Sequence, residues 1–372
     1  MPGFDAADHR HMARALELAA RGLYSADPNP RVGCVIVLAG EVVGEGWHAR
    51  AGEPHAEAHA LRAAGARARG ATLYVTLEPC SHFGRTPPCA DAVIAAGVAR
   101  VVYASGDPHP AVNGGGSARL ASAGIAVESG CLASAAEQLN PGFLSRFRRG
   151  RPWIRVKLAA SLDGRTALAN GRSQWLTGSA ARADVQRLRA RSSAILTGAA
   201  SVRYDDPQLT VRDESLELRG RVPLRVVLDP GLTVPPAARL FGTPGPVLLL
   251  TASADTALRS ALEAAGAEVE RLAGEHGTYD LAAVLAVLTR REVNELLVEA
   301  GPRLAGAFVA AGLVDEFVLY VAPHLLGHTA APLAMLPMLD DLGERWEFRF
   351  ADVRQVGTDL RLMLTPIARE AG

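Results

Sequence analysis

The sequence is almost without lysine. Of its 39 basic residues, Lys157 is the single lysine and the other 38 are arginine. With the abundant alanine and glycine, this looks like a GC-rich coding bias, so the arginines are no sign of phosphate binding by themselves. By the same reasoning the lysine that was kept marks a position needing a compact, titratable amine. Net charge is also missing: 39 acidic residues balance the 39 basic ones. Bulk electrostatics therefore offer nothing to a nucleic-acid partner. Four cysteines in 372 residues are too few for a disulfide framework, and a reducing cytoplasm fits. No apolar run approaches the ~18 residues of a membrane span. Met1–Asp5 leads into charge without an apolar signal core. What remains is a hydrophobic content of 49%, ample for the cores of two domains.

One stretch carries explicit chemistry. Pro54-His55-Ala56-Glu57 is followed by Glu78-Pro79-Cys80 and, after the eight residues Ser81 to Pro88, by Cys89. One imidazole and two thiolates make three ligands for tetrahedral zinc and leave a fourth position open for water, which zinc acidifies towards pKa ~7. A structural zinc site would be closed by a fourth Cys or His, and Glu57 would then have no work. His-x-Glu, Pro-Cys and a second Cys are the zinc-deaminase arrangement, with Glu57 as proton carrier. The eight-residue separation departs from the usual two. Cys34, in an apolar run, and Cys131 read as free thiols.

Around this stretch the pattern is α/β. Met12, Leu16, Ala19 and Leu23 share one face of a helix over 6–21, capped by Asp5 or Asp8. Asp27-Pro28-Asn29-Pro30 is a turn before a strand from Val32 to Leu38. Asn29 reads either as turn chemistry or as a sugar or base contact. A strand from Glu41 to Trp47 ends at His48, which either faces the pocket or closes the turn. A helix from Glu57 to Ala66, a strand over 72–77, a helix over 89–96 closed by Gly97 and a strand from Val98 to Ala104 complete a three-layer α/β domain. Gly114-Gly115-Gly116 has the look of a phosphate cradle, although no strand feeds it into a capped helix. The segment from Asn140 to Pro152, with its basic run, marks the domain boundary, giving domains 1–147 and 148–372.

The second half alternates helices with strands, as in a largely parallel sheet. Lys157 lies in Ile154–Ala167, which opens this half. Ser173-Gln174-Trp175-Leu176-Thr177-Gly178 is a polar, aromatic turn, and a helix runs from Ala180 to Arg191. Leu296–Glu299 ends a buried strand in a carboxylate, followed by Gly301-Pro302 and a helix. That turn is either an ordinary βα connection or a site where free N–H groups meet a cofactor phosphate. Gly-x-Gly-x-x-Gly is missing, so a Rossmann dinucleotide fold is not supported. The apolar segment from Leu313 to Leu326 serves either an interface or a core strand.

Residues 8–366 resemble the bifunctional riboflavin-biosynthesis deaminase–reductase family. The resemblance rests on the long Cys80–Cys89 loop, Lys157 to Ala167, Ser173 to Gly178, Asp205 to Arg212 and Val298 to Gly327. It implies a cytidine-deaminase-like N-terminal domain and a C-terminal domain similar to dihydrofolate reductase. It also implies deamination of a diaminopyrimidinone ribosylamine phosphate, followed by NADPH-dependent reduction of the ribosyl to a ribityl chain. Zinc would fall on His55, Cys80 and Cys89, with Glu57 catalytic. NADPH would fall on Ala159, Trp175, Ser201, Asp205 and the turn Gly301, Pro302, Arg303, Leu304, Ala305, Gly306, Ala307. The substrate would fall on Asn29, Lys157, Ser173, Arg189, Leu209, Arg212 and Glu299, with the two arginines on its phosphate. His109 stands where the family has Asn, and Tyr204 is bulkier than expected before Asp205-Asp206. A cytoplasmic homodimer acting on a small molecule, without nucleic acid or membrane, completes the expectation. Zero net charge and the long ligand loop argue against a nucleic-acid deaminase with an accessory domain. The intact set Lys157, Ser173, Asp205, Arg212 and Glu299 argues against a metal-binding regulator with a degenerate second half.

Overall fold

A computed structural model describes residues 3–81, 88–272 and 280–367. Most of the loop between Cys80 and Cys89, residues 82–87, lies outside them. The chain forms two compact units, one of residues 1–151 with 217–221, the other of 152–216 with 222–372.

The first unit runs α1 (Ala6–Ala20), β1 (Gly33–Leu38), β2 (Glu41–Trp47), α2 (Ala56–Ala64), β3 (Thr72–Leu77), α3 (Cys89–Ala96), β4 (Arg100–Ser105), α4 (Gly115–Ser122), β5 (Ala126–Ser129), α5 (Ala133–Leu139) and α6 (Pro141–Arg149). Both expected caps of α1 are used. Asp5 accepts from the Asp8 N–H at 2.8 Å and Asp8 accepts from the Asp5 N–H at 3.2 Å, a reciprocal capping box. The sheet order is β2-β1-β3-β4-β5, with β1 antiparallel to both neighbours and β3, β4 and β5 parallel. β1 explains the three layers. Cys34 and Ile36 pack with α2 and α3 on one face, and Val35 and Val37 with α1 on the other. A strand covered on both sides reads as a continuous apolar run.

The second unit runs β6 (Trp153–Ser161), β7 (Arg165–Ala167), α7 (Ser179–Arg191), β8 (Ala194–Gly198), α8 (Ala199–Asp205), β9 (Leu224–Leu228), β10 (Val247–Thr251), α9 (Thr256–Ala264), β11 (Glu268–Arg271), α10 (Leu281–Arg290), β12 (Glu295–Glu299), α11 (Pro302–Ala310), β13 (Glu316–Ala322), β14 (Ala331–Pro332), β15 (Phe348–Val356) and β16 (Asp359–Pro366). Its nine-stranded sheet has the order β11-β10-β9-β8-β12-β6-β13-β16-β15. Seven strands are parallel, and the β15–β16 hairpin closes one edge antiparallel. The hairpin went unread, although Leu360, Leu362 and Leu364 alternate with other residues at the strand period. β13 answers the open question about Leu313–Leu326: Val318 and Tyr320 are fully buried, so it is a core strand.

The expected boundary segment is itself ordered. Asn140–Pro141 starts α6, and Gly150 at φ 68° ends it. Its Phe143 and Leu144 are buried, so the basic run is the outer side of an amphipathic helix.

Candidate active sites

The first site is placed by β2, α2 and β3. A Cβ on Gly46 would stand 2.3 Å from the Ala56 carbonyl oxygen. Only glycine therefore lets α2 begin directly against the strand. His55 is the N-cap of α2 and Glu57 lies in its first turn. β3 ends at Leu77 and delivers Cys80, while Cys89 opens α3. One ligand atom from each of His55, Cys80 and Cys89 lies within 4.8 Å of the others. His55 Nδ1 is 3.2 Å from Cys89 Sγ and 3.6 Å from Cys80 Sγ. The donor set and its convergence fit zinc with three protein ligands.

Electrostatics mark the same place. The Cys80 thiol is held down to about 4, first by the hydrogen bond from the Cys89 thiol and then by His55, while Cys89 is pushed up by Cys80 and by burial. Burial raises the Glu57 carboxyl above its ordinary value against the pull of His55. His48 answers the question left open for it. Its ring is buried, with Nε2 3.1 Å from the Asn29 side-chain amide and Nδ1 3.2 Å from the Pro54 carbonyl. Burial drives its pKa down to about 4. His48 and Asn29 thus form one wall beside His55, the two rings meeting edge-on at 5.3 Å.

The glycine triplet is corrected. Its anion is internal: Glu78 accepts from the Gly114 N–H at 3.1 Å, and from the Ser117 N–H and hydroxyl at 3.0 Å each. A Cβ on Gly116 would stand 1.9 Å from the Pro79 carbonyl oxygen, so glycine is needed for α4 to close on the Pro79–Cys80 turn. Sequence reading missed Glu78. The usable signal was a carboxylate directly before Pro-Cys and a glycine run without a strand in front of it. Asp107, also missed, is pushed up to about 6 by burial and by Glu78. His109 has a local role: its N–H donates to Asp107 at 2.8 Å, and its ring packs 4.7 Å from Phe147.

The second site is built by strand register. On β6, Ile154, Val156 and Leu158 enter one core, so Arg155, Lys157 and Ala159 face α7. β12 does the same with Leu297 and Glu299. Lys157 and Glu299 are register partners and share a face. From α7, Arg189 donates from Nε and Nη2 to the two Glu299 oxygens at 2.6 and 2.9 Å. Its Nη1 donates to the Thr210 carbonyl at 3.0 Å. The guanidinium expected on a phosphate is therefore committed to protein groups. Arg212 holds a looser side-chain partner, Gln208, at 3.2 Å. Burial lowers the Lys157 amine, Glu299 opposing. Glu299 stays below its ordinary value because Arg189, then Lys157 and Arg212, outweigh its burial. Three cations around one carboxylate leave a positive field suited to a phosphorylated ligand.

Of the expected cofactor residues, Ala159 lies near the end of β6, Ser201 and Asp205 on α8 directly after β8, and Gly301 to Ala307 directly after β12, at the C-terminal side of adjacent parallel strands, where ligands of open α/β sheets bind. Gly301 is the N-cap of α11 and supplies no side-chain cap, so the N–H groups of its first turn stay available to an anion. Pro302, Arg303, Leu304 and Ala307 lie in that helix with Ala305, which is buried in the core. Gly306 is there for packing, because a Cβ would stand 2.0 Å from the Met335 carbonyl oxygen. Ser173 donates to Asp205 at 2.7 Å, which joins two residues expected on different ligands. Trp175 is exposed under the Arg182 guanidinium, 4.7 Å from its ring. Ser201 lies on α8. The Leu209 side chain is buried in the core at φ 52°, leaving its backbone for any ligand. Tyr204 points outward and is 76% exposed, so its bulk does not crowd the strand ends.

Fold and sites together define a zinc-dependent deaminase joined to a reductase. Residues 5–105 match the cytidine and deoxycytidylate deaminase zinc-binding region, and residues 152–362 match the RibD C-terminal domain. The chain is 52% identical to riboflavin biosynthesis protein RibD of Escherichia coli K12, over 96% of this chain and 99% of that one. It is 45% identical to RibD of Haemophilus influenzae, over 98% of each. The solved structure of Acinetobacter baumannii RibD superposes with a TM-score of 0.90 at 44% identity, covering 97% of this chain and 99% of that one. A Thermotoga maritima protein described as a diaminohydroxyphosphoribosylaminopyrimidine deaminase/5-amino-6-(5-phosphoribosylamino)uracil reductase superposes at 0.84 with 32% identity, again over 97% and 99%. The chain belongs to the bifunctional riboflavin-biosynthesis deaminase/reductase family. It is both a hydrolase and an oxidoreductase, with zinc and NADPH as cofactors.

Proposed function

We propose that the first unit removes the exocyclic amine of a diaminopyrimidinone ribosylamine 5′-phosphate, and that the second reduces the deaminated product's ribosyl group to ribityl. The observation that carries this reading is the pairing, in one chain, of a buried His/Cys/Cys set beside Glu57 with the Lys157–Glu299–Arg189 cluster on a parallel sheet. His55, Cys80 and Cys89 would hold zinc, which would make a water nucleophilic at neutral pH. Glu57 takes that water's proton and returns protons to the ring nitrogen and the departing ammonia. Asn29, fixed by His48, orients the substrate in front of it.

In the second unit the N–H groups at the α11 start would hold the phosphates of NADPH, and Ala159, Trp175, Ser201 and Asp205 would supply its remaining contacts; when bound, the cofactor would provide hydride. Lys157 protonates the ribosyl ring oxygen as the C1–O bond breaks, opening the sugar to an imine that is reduced at C1. Arg212 takes the phosphate, while Arg189 holds Glu299 and the Thr210 backbone in place. Ser173 and the Leu209 backbone complete the substrate wall.

The division near residue 150 separates the two activities. A cytoplasmic homodimer acting on a small molecule agrees with the zero net charge and with exposed Phe350, Val353 and Leu360 on the edge hairpin. Among the described residues no helix is long and apolar enough to cross a membrane.

The test is a coupled assay on the diaminopyrimidine ribosylamine phosphate. Ammonia release without NADPH, with NADPH oxidation only after deamination, is the expected result. Zinc-loaded enzyme that neither releases ammonia nor oxidises NADPH would overturn the substrate assignment. Light scattering of the full chain in solution checks the dimer.

A further inference from the structure

The N-terminal unit contains five residues from the C-terminal half of the sequence, Glu217–Arg221, drawn from the connection between α8 and β9. Arg219 at φ 50° and Gly220 at φ 80° are successive left-handed residues. They reverse the chain, and Arg219 and Arg221 both meet the N-terminal unit. Arg221 donates from Nε to the Tyr24 carbonyl at 2.8 Å, and its Nη1 lies 3.8 Å from the Asp27 carboxylate. The Arg221 and Asp27 side chains are only 11% and 10% exposed, so the contact is largely out of water. The Arg219 guanidinium lies over the Trp47 ring at 4.9 Å.

These two grips fall on the two chain segments that present the Asn29–His48 pair. Tyr24 to Asp27 runs directly into Pro28 and Asn29, in a stretch without helix or strand. Trp47 is the last residue of β2, immediately before His48. Asn29 and His48 are tied at 3.1 Å, and the other His48 nitrogen faces the carbonyl of Pro54, the residue before His55. An irregular turn keeps its side chains in one geometry only if something restrains its backbone. A guanidinium on the Tyr24 carbonyl and a cation on the Trp47 ring supply that restraint from both sides.

We propose that Arg221, assisted by Arg219, is a positioning residue for deamination: this strap holds the Asn29 turn and the end of β2 so that Asn29 and His48 face the substrate. The inference rests on the reading of Asn29 as a substrate contact. It makes residues of the C-terminal half part of the machinery of the N-terminal reaction, without contact to the zinc ligands.

The test uses the full-length, zinc-loaded chain carrying Arg221→Ala, Arg221→Lys, the double change Arg219→Ala/Arg221→Ala, or Asn29→Ala. Ammonia release is followed against the concentration of the diaminopyrimidine ribosylamine phosphate. Zinc per chain and NADPH oxidation on pre-deaminated substrate are measured alongside. Misplacing a binding group by a fraction of an ångström predicts a loss in kcat/KM of about tenfold in the double variant, mostly in KM. Zinc content and NADPH oxidation stay at wild-type values, and Arg221→Lys recovers part of the loss. Wild-type deamination by the double variant, with Asn29→Ala impaired, overturns the strap alone. Zinc lost in step with activity overturns it too, because the strap would then be a general prop. Undiminished deamination by Asn29→Ala overturns both the strap and the site reading beneath it.

Discussion

The two sites are made in opposite ways. The deaminase site is held by backbone: His55 begins a helix, Cys89 begins another, and Cys80 hangs from a turn whose carboxylate neighbour, Glu78, is wrapped in N–H groups from the start of α4. Its reactive side chains are close in sequence and few. The reductase site is held by side-chain charge: parallel-strand register sets Lys157 beside Glu299, and Arg189 from α7 and Arg212 from the chain after α8 bring their charges to the same carboxylate. A backbone-built site tolerates loss of a reactive side chain as a structure while losing its chemistry. A charge-built site couples chemistry to stability, since removing one partner strands the others in a low-dielectric place.

The largest effect expected is Glu57→Gln. Loss of the proton carrier should cut ammonia release by about 10³-fold, while zinc content and NADPH oxidation on pre-deaminated substrate persist. Equal loss of zinc would show that Glu57 is structural, and the contrast between the sites would fail. Next is Glu299→Gln, which leaves Arg189 and Lys157 facing each other without a counter-charge. Destabilisation of about 3 kcal/mol is expected, read as a lower denaturant midpoint of the unfolding phase assigned to residues 152–367. An unchanged midpoint would mean that this cluster serves chemistry alone. Lys157→Met should slow NADPH oxidation about 100-fold and leave ammonia release untouched. Lys157→Arg should not rescue it, because a guanidinium cannot give up a proton in this range.

The smallest effect concerns the first unit away from its metal site. Arg100, with Tyr74, holds the Asp8 carboxyl down to about 2. A depressed carboxylate stabilises the fold above its unfolded pKa near 4, and that contribution disappears as pH falls through about 2. Discounted for the partly exposed Arg100, it amounts to about 1–2 kcal/mol. Asp8→Asn should therefore lower stability at pH 7 by that amount and flatten its pH dependence between pH 4 and 2. Parallel pH–stability curves for wild type and variant would refute this.

How much was legible follows the same division. Helices and strands with a clear period were read close to their observed ends: α1, β1 to β3, α3 and α7, while α11 was read only by its start. Short elements after glycine, such as α4, and the β15–β16 hairpin were not read, because their residues carry weak local preference and are settled by packing. The zinc triad and Glu57 were visible because metal chemistry restricts residue type and spacing at once. Asn29 and His48 were visible only as alternatives, since a turn residue and a ligand contact look alike until a partner is seen.

The amino-acid sequence by itself determined the two-part α/β organisation and the His/Cys/Cys set with a carboxylate beside it, and it singled out the lone Lys157. Each of these depends on residues near one another in the chain or on composition. Tertiary structure alone decided that Lys157 lies beside Glu299, that Arg189 is spent on that carboxylate, that the glycine triplet cradles Glu78, and that Arg221 grips the Asn29 turn. The reason is physical: strand register, close backbone approach and long-range guanidinium contacts join residues from 36 to 197 positions apart, and no local pattern encodes those pairings.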